Sequence, residues 1–368
     1  MGRGALFAVT AVIILAIIGV IIYYAYEHTG GREHSAQFTT SPSTSHVEAT
    51  GIERQKTSTT SKETHAMNKL PEIRIGTIRG GISSLDVILA KKLDEENGFR
   101  VKLVLFTATL DLANAIAHGD VDVAIIPAEF VAKLREKGTN VTILAVDFYQ
   151  NQAIVVQGDE NITSIEDLKG KKIAAFKPTG TYAMFKAYMK AIYGLNAETS
   201  FNIVNLPPPQ IVQAFAKKEV DAAVIWEPFV SRLIADYGGE ILVSYQELWQ
   251  KWGKHIGDNG VMIVYAARGD WAAEHPGLVE KLLAARSKAA SIWNSDEELA
   301  EKILVDNYGV SKEAAKLCWS RLKMETAKEL TKGLVKNILA VWELAREGGY
   351  ISSQPESLAK GAFWEAGQ

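Results

Sequence analysis

The feature that most constrains how this chain can fold is a stretch that occurs twice. Ala115-Ile116-Ala117-His118-Gly119-Asp120-Val121-Asp122-Val123-Ala124-Ile125-Ile126 is echoed by Ala214-Phe215-Ala216-Lys217-Lys218-Glu219-Val220-Asp221-Ala222-Ala223-Val224-Ile225, and Asp122 and Asp221 lie 99 residues apart. Each copy reads as a helix end, a tight turn and a buried strand. The same offset carries Ile73–Gly81 onto Lys172–Gly180, so a strand and glycine turn (Gly81) meets another of its kind (Gly180). Two units kept in one register imply two lobes built alike. The period is far longer than that of a solenoid repeat, so the duplication is at the level of domains.

The surrounding pattern fills in the lobes. A strand over Ile73–Ile78 runs through Gly80-Gly81 into a helix over Ser83–Glu96. A strand Val101–Phe106, a helix Leu110–His118 and a strand Val121–Ile126 follow. Continuous Val/Ile/Leu strands alternating with helices predict an α/β fold with parallel sheets covered on both faces. Further strands are expected at Ala153–Val156 and Gly260–Ala267. The last four helical runs, Pro276–Trp293, Asp296–Asn307, Lys312–Met324 and Ala327–Glu347, have no strand between them and are expected to pack around the first lobe. Two segments can carry the chain between lobes: Phe148-Tyr149-Gln150-Asn151 and His255–Asn259. The expected architecture is therefore two similar Rossmann-like lobes joined by two crossovers. Residues 70–150 and 260–368 form lobe one, and residues 151–259 form lobe two, hinged at Tyr149–Gln152 and Asn259–Val261.

The N-terminus has a different character. Ala5 to Tyr26 carries no charge. At ~1.5 Å per residue such a helix spans a bilayer core of ~30 Å. It is longer than a secretory signal core, and Tyr23, Tyr24 and Tyr26 suit an interfacial belt. Residues 1–27 are read as a transmembrane helix, with Arg3 before it and Glu27 after it placing the rest outside the cell. A cleaved signal, or prepilin-type cleavage near Gly4, is the alternative. Residues 28–69 are rich in Ser and Thr and almost free of large apolar residues. Such a segment cannot offset its ordering entropy and reads as a disordered stalk of a composition found in O-glycosylated tethers. Its histidines (His28, His34, His46, His65) are too scattered for a metal site. Asn140-Val141-Thr142 and Asn161-Ile162-Thr163 are glycosylation sequons. The net charge of −3 gives no basis for a nucleic-acid surface, and the one cysteine, Cys318, excludes internal disulfides and CxxC chemistry.

The runs Ile73-Arg74-Ile75-Gly76, Gly119-Asp120-Val121-Asp122-Val123-Ala124, Ile165-Glu166-Asp167-Leu168-Lys169-Gly170-Lys171-Lys172-Ile173-Ala174 and Val220-Asp221-Ala222-Ala223-Val224-Ile225-Trp226-Glu227-Pro228 resemble periplasmic binding proteins of type II topology. The branch is the one that binds alkanesulfonates, taurine, nitrate and thiamine-precursor pyrimidines. The resemblance covers Leu70 to the C-terminus. It implies a monomeric solute receptor of an ABC importer, with a permease and its ATPase as partners and no cofactor. The chain departs from the family's frequent Thr-Gly-Asp after the third strand, reading Pro127-Ala128-Glu129 instead.

In open α/β sheets ligands bind beyond the carboxyl ends of the strands, and lobe interfaces are common pocket positions. This selects Arg79, Gly80, Gly81, Pro127, Ala128 and Glu129 from lobe one, and Thr179, Gly180, Thr181, Tyr182, Trp226 and Glu227 from lobe two. Tyr149 and Asn259 are added from the crossovers. The turn Lys177–Tyr182 opens a helix, whose free N–H groups and dipole favour an anion. An ordinary threonine N-cap is the plain alternative there. Trp226 is read as an apolar wall or as core. Glu129 and Glu227 are read as partners for an ammonium or aminopyrimidine, or as a bridge to an arginine. Two other classes fit the sequence less well. A pyrimidine-precursor synthase of this fold would use pyridoxal phosphate and need a cleft lysine and histidine, but only His118 and His255 lie in the lobes ahead of the C-terminal helices. A DNA-binding regulator would need a helix-turn-helix where the apolar span stands. No GxSxG, HExxH or P-loop pattern occurs. The receptor reading predicts that full-length protein is recovered in the membrane fraction of its host; full-length chain in the soluble fraction would refute an uncleaved anchor.

Overall fold

The computed structural model describes residues 70–365, so the expected anchor (Ala5–Tyr26) and stalk lie outside the described residues. Among the described residues no helix is long and apolar enough to cross a membrane. Ten strands form two separate five-stranded sheets. The first has the order β2 (Arg100–Phe106), β1 (Glu72–Ile78), β3 (Val123–Pro127), β10 (Val261–Arg268) and β4 (Val141–Tyr149). The second has β7 (Asn202–Asn205), β6 (Lys172–Ala175), β8 (Ala222–Ile225), β5 (Ala153–Gln157) and β9 (Gly239–Ser244).

Both sheets are mixed, where the sequence led us to expect parallel ones. β1 pairs parallel with β2 and β3, and β6 with β7 and β8, but β10 runs antiparallel to β3 and β4, and β5 antiparallel to β8 and β9. Topology dictates this. A chain arriving from the other sheet enters at the carboxyl ends of the strands, so its first strand must run against its neighbours. The apolar runs of β5 and β10 are buried on both faces, and such runs read alike in either direction.

The sequence repeat is visible as a shared device. Asp122 Oδ2 accepts from the Arg74 backbone N–H (2.8 Å), and Asp221 Oδ2 accepts from that of Lys172 (2.6 Å). Each aspartate pins the start of a strand, β1 or β6, to the helix–turn–strand unit. The turn is left-handed at Gly119 (φ 81°) and at Lys218 (φ 55°). The register differs by one residue from the uniform offset, since Ile75 pairs with Val123 but Ile173 with Ala222.

Of the helices among the described residues, ten position the rest: α1 (Ser84–Ala90), α2 (Thr109–His118), α3 (Ala128–Glu136), α4 (Gly180–Tyr193), α5 (Pro208–Ala216), α6 (Phe229–Tyr237), α7 (Pro276–Ser295), α8 (Glu297–Tyr308), α9 (Lys312–Arg321) and α10 (Lys332–Glu347). The expected helix over Ser83–Glu96 ends at Ala90 because Lys92 turns left-handed (φ 54°). The C-terminal helices do not keep to the first sheet. α7 packs on α1, but α9 packs on α6 and α10 on both α3 and α4. Gly348, just beyond α10, lies so close to α4 that a Cβ there would stand 2.5 Å from the Ala187 Cβ. The buried face of α10, including Ile338, Val341, Trp342 and Ala345, explains why this helix docks so firmly. Overpacking of this kind costs about 1–3 kcal/mol. Gly348→Val should therefore lower the thermal unfolding midpoint measurably, whereas substitution at the open Gly333 should not.

Candidate functional site

The carboxyl ends of the two sheets face one another across a narrow cavity of about 30 Å³. Lobe one lines it with Thr77, Ile78, Gly81, Ile82, Thr109, Ile125 and Pro127, and lobe two with Thr179, Gly180, Thr181, Trp226 and Glu227. Phe148, Asn151, Met262 and Ile263 come from the strands and segments where the chain crosses. The wall is mostly apolar because β1 and β3 end here and β10 begins here. Ligand sites usually enclose ~300–1,000 Å³, so the cavity as it stands is smaller than such a site.

Seven of the residues expected from the sequence meet at this cavity: Gly81, Pro127, Thr179, Gly180, Thr181, Trp226 and Glu227. Trp226 both packs and bridges. Its ring meets Phe229 edge-on at 5.9 Å, and its Nε1 donates across the cleft to Gly80 O at 3.0 Å. Gly80 has φ 77° and has the Phe229 ring against it, so a side chain there would be strained and crowded. The Thr179 hydroxyl is already engaged. It donates to Phe176 O (2.6 Å) and accepts from Tyr182 N–H (3.4 Å), which is the N-cap role. Thr181, one residue into α4, lines the cavity, and its carbonyl accepts from Tyr245 OH at 2.8 Å.

The other expected residues lie elsewhere. Arg79 lines a groove on the outer side of the β1–α1 loop, as does Gly80. Ala128 is fully buried and its carbonyl accepts from Trp342 Nε1 (2.8 Å). Tyr182 points into lobe two, with the Lys177 and Lys186 ammonium groups 5.7 and 5.4 Å from its ring centre. Tyr149 and Asn259 line a separate pocket behind the crossovers, where Tyr149 OH donates to Glu325 and Asn259 Nδ2 donates to Gln150 O at 2.8 Å. In these cases the chain turns the side chain away from the strand end that sequence alone identifies.

The two acids have different fates. Glu227 Oε1 accepts from Arg321 Nε (2.7 Å) and Oε2 from Ser231 N–H (3.0 Å). Burial raises its pKa and the arginine opposes that rise. Glu129 has no ion-pair partner among the described residues, and its Oε1 lies where a Cβ on Gly180 would be, 2.2 Å away. Burial pushes its carboxyl up to about 8, opposed only by its own backbone N–H. It is thus protonated at neutral pH, wedged under the start of α4. No lysine, arginine or histidine lines the cavity among the described residues.

Of the nine cavity residues that the sequence did not single out, two have partnerless polar atoms. Thr109 Oγ1 and Asn151 Oδ1 are buried and have no hydrogen-bond partner. Buried polar atoms without partners are uncommon in native proteins. Thr109 opens α2 as Thr181 lies at the opening of α4, so a helix start from each lobe reaches the cavity. The repeat conceals this, because it aligns Thr109 with Pro208.

Two five-stranded sheets of like strand order, with the carboxyl ends of their strands around one cavity, define an α/β fold of the periplasmic binding protein kind. The fold is shared with the alkanesulfonate-binding protein SsuA from Xanthomonas axonopodis pv. citri bound to MOPS, at a TM-score of 0.66 and 20% identity, covering 80% of this chain and 99% of that one. Residues 67–305 match the NMT1-like family, and the chain belongs to it. Among relatives by sequence, the taurine-binding periplasmic protein of Escherichia coli is 31% identical over 189 residues, 50% of this chain and 55% of that protein. The nitrate/nitrite binding protein NrtA of Synechococcus elongatus is 28% identical over 192 residues, 50% of this chain and 41% of that protein. The chain thus spans about half the length of these two relatives.

The buried acid gives a signed pH prediction. A carboxyl whose pKa is raised by folding favours the folded state below its unfolded value, ~4.3, and that advantage is lost as pH rises towards 8. The loss for Glu129 alone is on the order of 5 kcal/mol. Urea unfolding at pH 5 and pH 9 should show wild-type stability falling more steeply than that of Glu129→Gln. Parallel profiles would mean that Glu129 is not the titrating group.

Proposed function

We propose that the chain is the extracytoplasmic receptor of an ABC importer, capturing a small polar or anionic organic solute between its lobes. Lobe one is residues 70–150 and 260–368, and lobe two is residues 151–259. The receptor acts as a monomer, is held at the outer face by residues 5–26, and delivers its solute to a permease driven by its ATPase. A coil the length of residues 28–69 has a reach of roughly 30–40 Å, enough to dock beside the anchor. Cavity contact is assigned to Gly81, Pro127, Gly180, Thr181, Trp226, Thr109 and Asn151.

One observation carries this reading. Two partnerless buried oxygens, Thr109 Oγ1 and Asn151 Oδ1, share an inter-lobe cavity with the start of α4. A helix start supplies backbone donors and positive potential, and a hydroxyl can donate to an acidic group or accept from an amine. The apolar wall of Ile78, Ile82, Phe148, Trp226 and Met262 favours a solute with a carbon skeleton over a bare inorganic anion. The relatives named above are binding proteins for taurine and nitrate, which favours a receptor over a synthase of similar fold. Entry of such a solute requires the lobes to part, a hinge motion about the crossovers.

Hydrogen bonds to charged groups contribute about 1.5–3 kcal/mol each. In calorimetric titrations of full-length protein with taurine, butanesulfonate and nitrate, we expect an organic sulfonate to bind most tightly. Thr181→Ala and Thr109→Val should each weaken it about ten- to a hundredfold with little change in melting temperature. Unchanged affinity in both folded variants would place the ligand elsewhere.

A further inference from the structure

The loop between β1 and α1 has a second face. On its outer side lies a groove of about 690 Å³, within the usual range of small-molecule sites (~300–1,000 Å³). Its floor is built by Leu85, Leu89, Leu103, Leu105, Leu299 and Ile303. Leu89, Leu103 and Leu105 are 38%, 41% and 42% exposed, three of the six large apolar side chains left exposed among the described residues. They are gathered by the fold. β2 is the edge strand of the first sheet, and Leu103 and Leu105, two residues apart, share one face of it. An apolar cluster rimmed by polar groups marks a binding surface rather than scattered exposure.

The groove also holds four charged side chains, and three are committed. Lys302 pairs with Asp306 at 2.6 Å. Asp86 Oδ2 accepts from Ser83 N–H (2.9 Å) and lies 2.9 Å from the Tyr308 hydroxyl. The Arg79 guanidinium has neither an ion pair nor a hydrogen bond among the described residues. The groove therefore presents an apolar floor with one uncommitted cation at its edge.

We propose that this groove is a second binding site, taking a single-chain anionic amphiphile whose alkyl chain lies on the leucines and whose acidic head pairs with Arg79. The groove adjoins the cavity, sharing Thr77, Ile78 and Gly81 with it, but neither Arg79 nor any of these leucines lines the cavity, so the inference does not rest on the inter-lobe reading. Each methylene buried on the leucine floor strengthens binding roughly fourfold, so chain length dominates affinity. An arginine offers planar paired donors that fit a carboxylate or sulfonate head. A free alkanesulfonate or fatty acid and a membrane lipid share this chemistry.

The test is photo-crosslinking of the full-length protein, in nanodiscs of uncharged lipid, with a ten-carbon alkanesulfonate bearing a terminal diazirine. Label is expected on the peptides carrying Leu103–Leu105 and Leu299–Ile303. Decanesulfonate should compete for it and methanesulfonate should not. Leu103→Glu and Leu105→Glu should each reduce it about tenfold, and Arg79→Ala several-fold, with unchanged circular dichroism. Competition by anionic-lipid vesicles as well as by decanesulfonate would make a lipid the natural source, and competition by decanesulfonate alone a free amphiphile. Label in wild type confined to peptides carrying Thr109 or Met262 would assign the chain to the inter-lobe cavity and overturn the proposal. Label that is spread over the surface and indifferent to competitor would overturn it too, as an adventitious additive only. Both readouts are made on the wild-type protein and do not depend on any variant folding.

Discussion

The chain passes between the two sheets twice, and both passages are made at the carboxyl ends of the strands. Most of the architecture follows from that constraint. It forces β5 and β10 to run against their neighbours, and it places the crossing segments beside the cavity, so that Asn151 contributes to the wall. The two crossings are also tied to each other. Gln150 N–H donates to Gly260 O at 2.8 Å, Asn259 Nδ2 donates to Gln150 O at 2.8 Å, and Tyr188 OH donates to Gln150 Oε1. Backbone rotation in either strand of this tie moves the other, which suits paired segments to bending as one hinge.

The electrostatics of the cleft depend on neutrality rather than on countercharge. Glu227 is held by Arg321 and Ser231, and Glu129 is protonated by burial. With no basic side chain on the wall among the described residues, the positive potential comes from helix starts and polar hydrogens. Such a site discriminates by shape and hydrogen-bond geometry, because backbone dipoles are fixed in direction. The large apolar share of the wall works in the same sense. In the receptor proposed above it would favour solutes with a carbon body over a small hydrated ion.

Much of this was legible because the repeat joins distant parts of the sequence. The 99-residue echo around Asp122 and Asp221 marks one helix–turn–strand unit in each sheet, and the glycine turns mark where strands end. Strand direction was not legible, since a strand buried on both faces has the same apolar run whichever way it points. The α9 and α10 contacts with the second sheet's helices were also hidden, because an amphipathic pattern gives the buried face of a helix but not its partner. At the cavity, strand ends pointed to Pro127, Trp226 and Glu227, yet Arg79, Tyr149 and Asn259 turn elsewhere. The most telling atoms, Thr109 Oγ1 and Asn151 Oδ1, are recognised only by what they lack, and a missing partner has no sequence signature.

Glu129 shows how a buried acid and a helix start can share one place. Its carboxyl lies against Gly180, and only a residue without Cβ leaves room for it. An ionised carboxylate in that position would be drawn to the free N–H groups of the first turn of α4 and would compete with an acidic ligand for them. A neutral one exerts no such pull. Desolvation, which raises the pKa to about 8, therefore keeps the start of α4 available at neutral pH. Gly180 serves both requirements, since its bare Cα admits the acid on one side and opens the helix N-terminus to the cavity on the other.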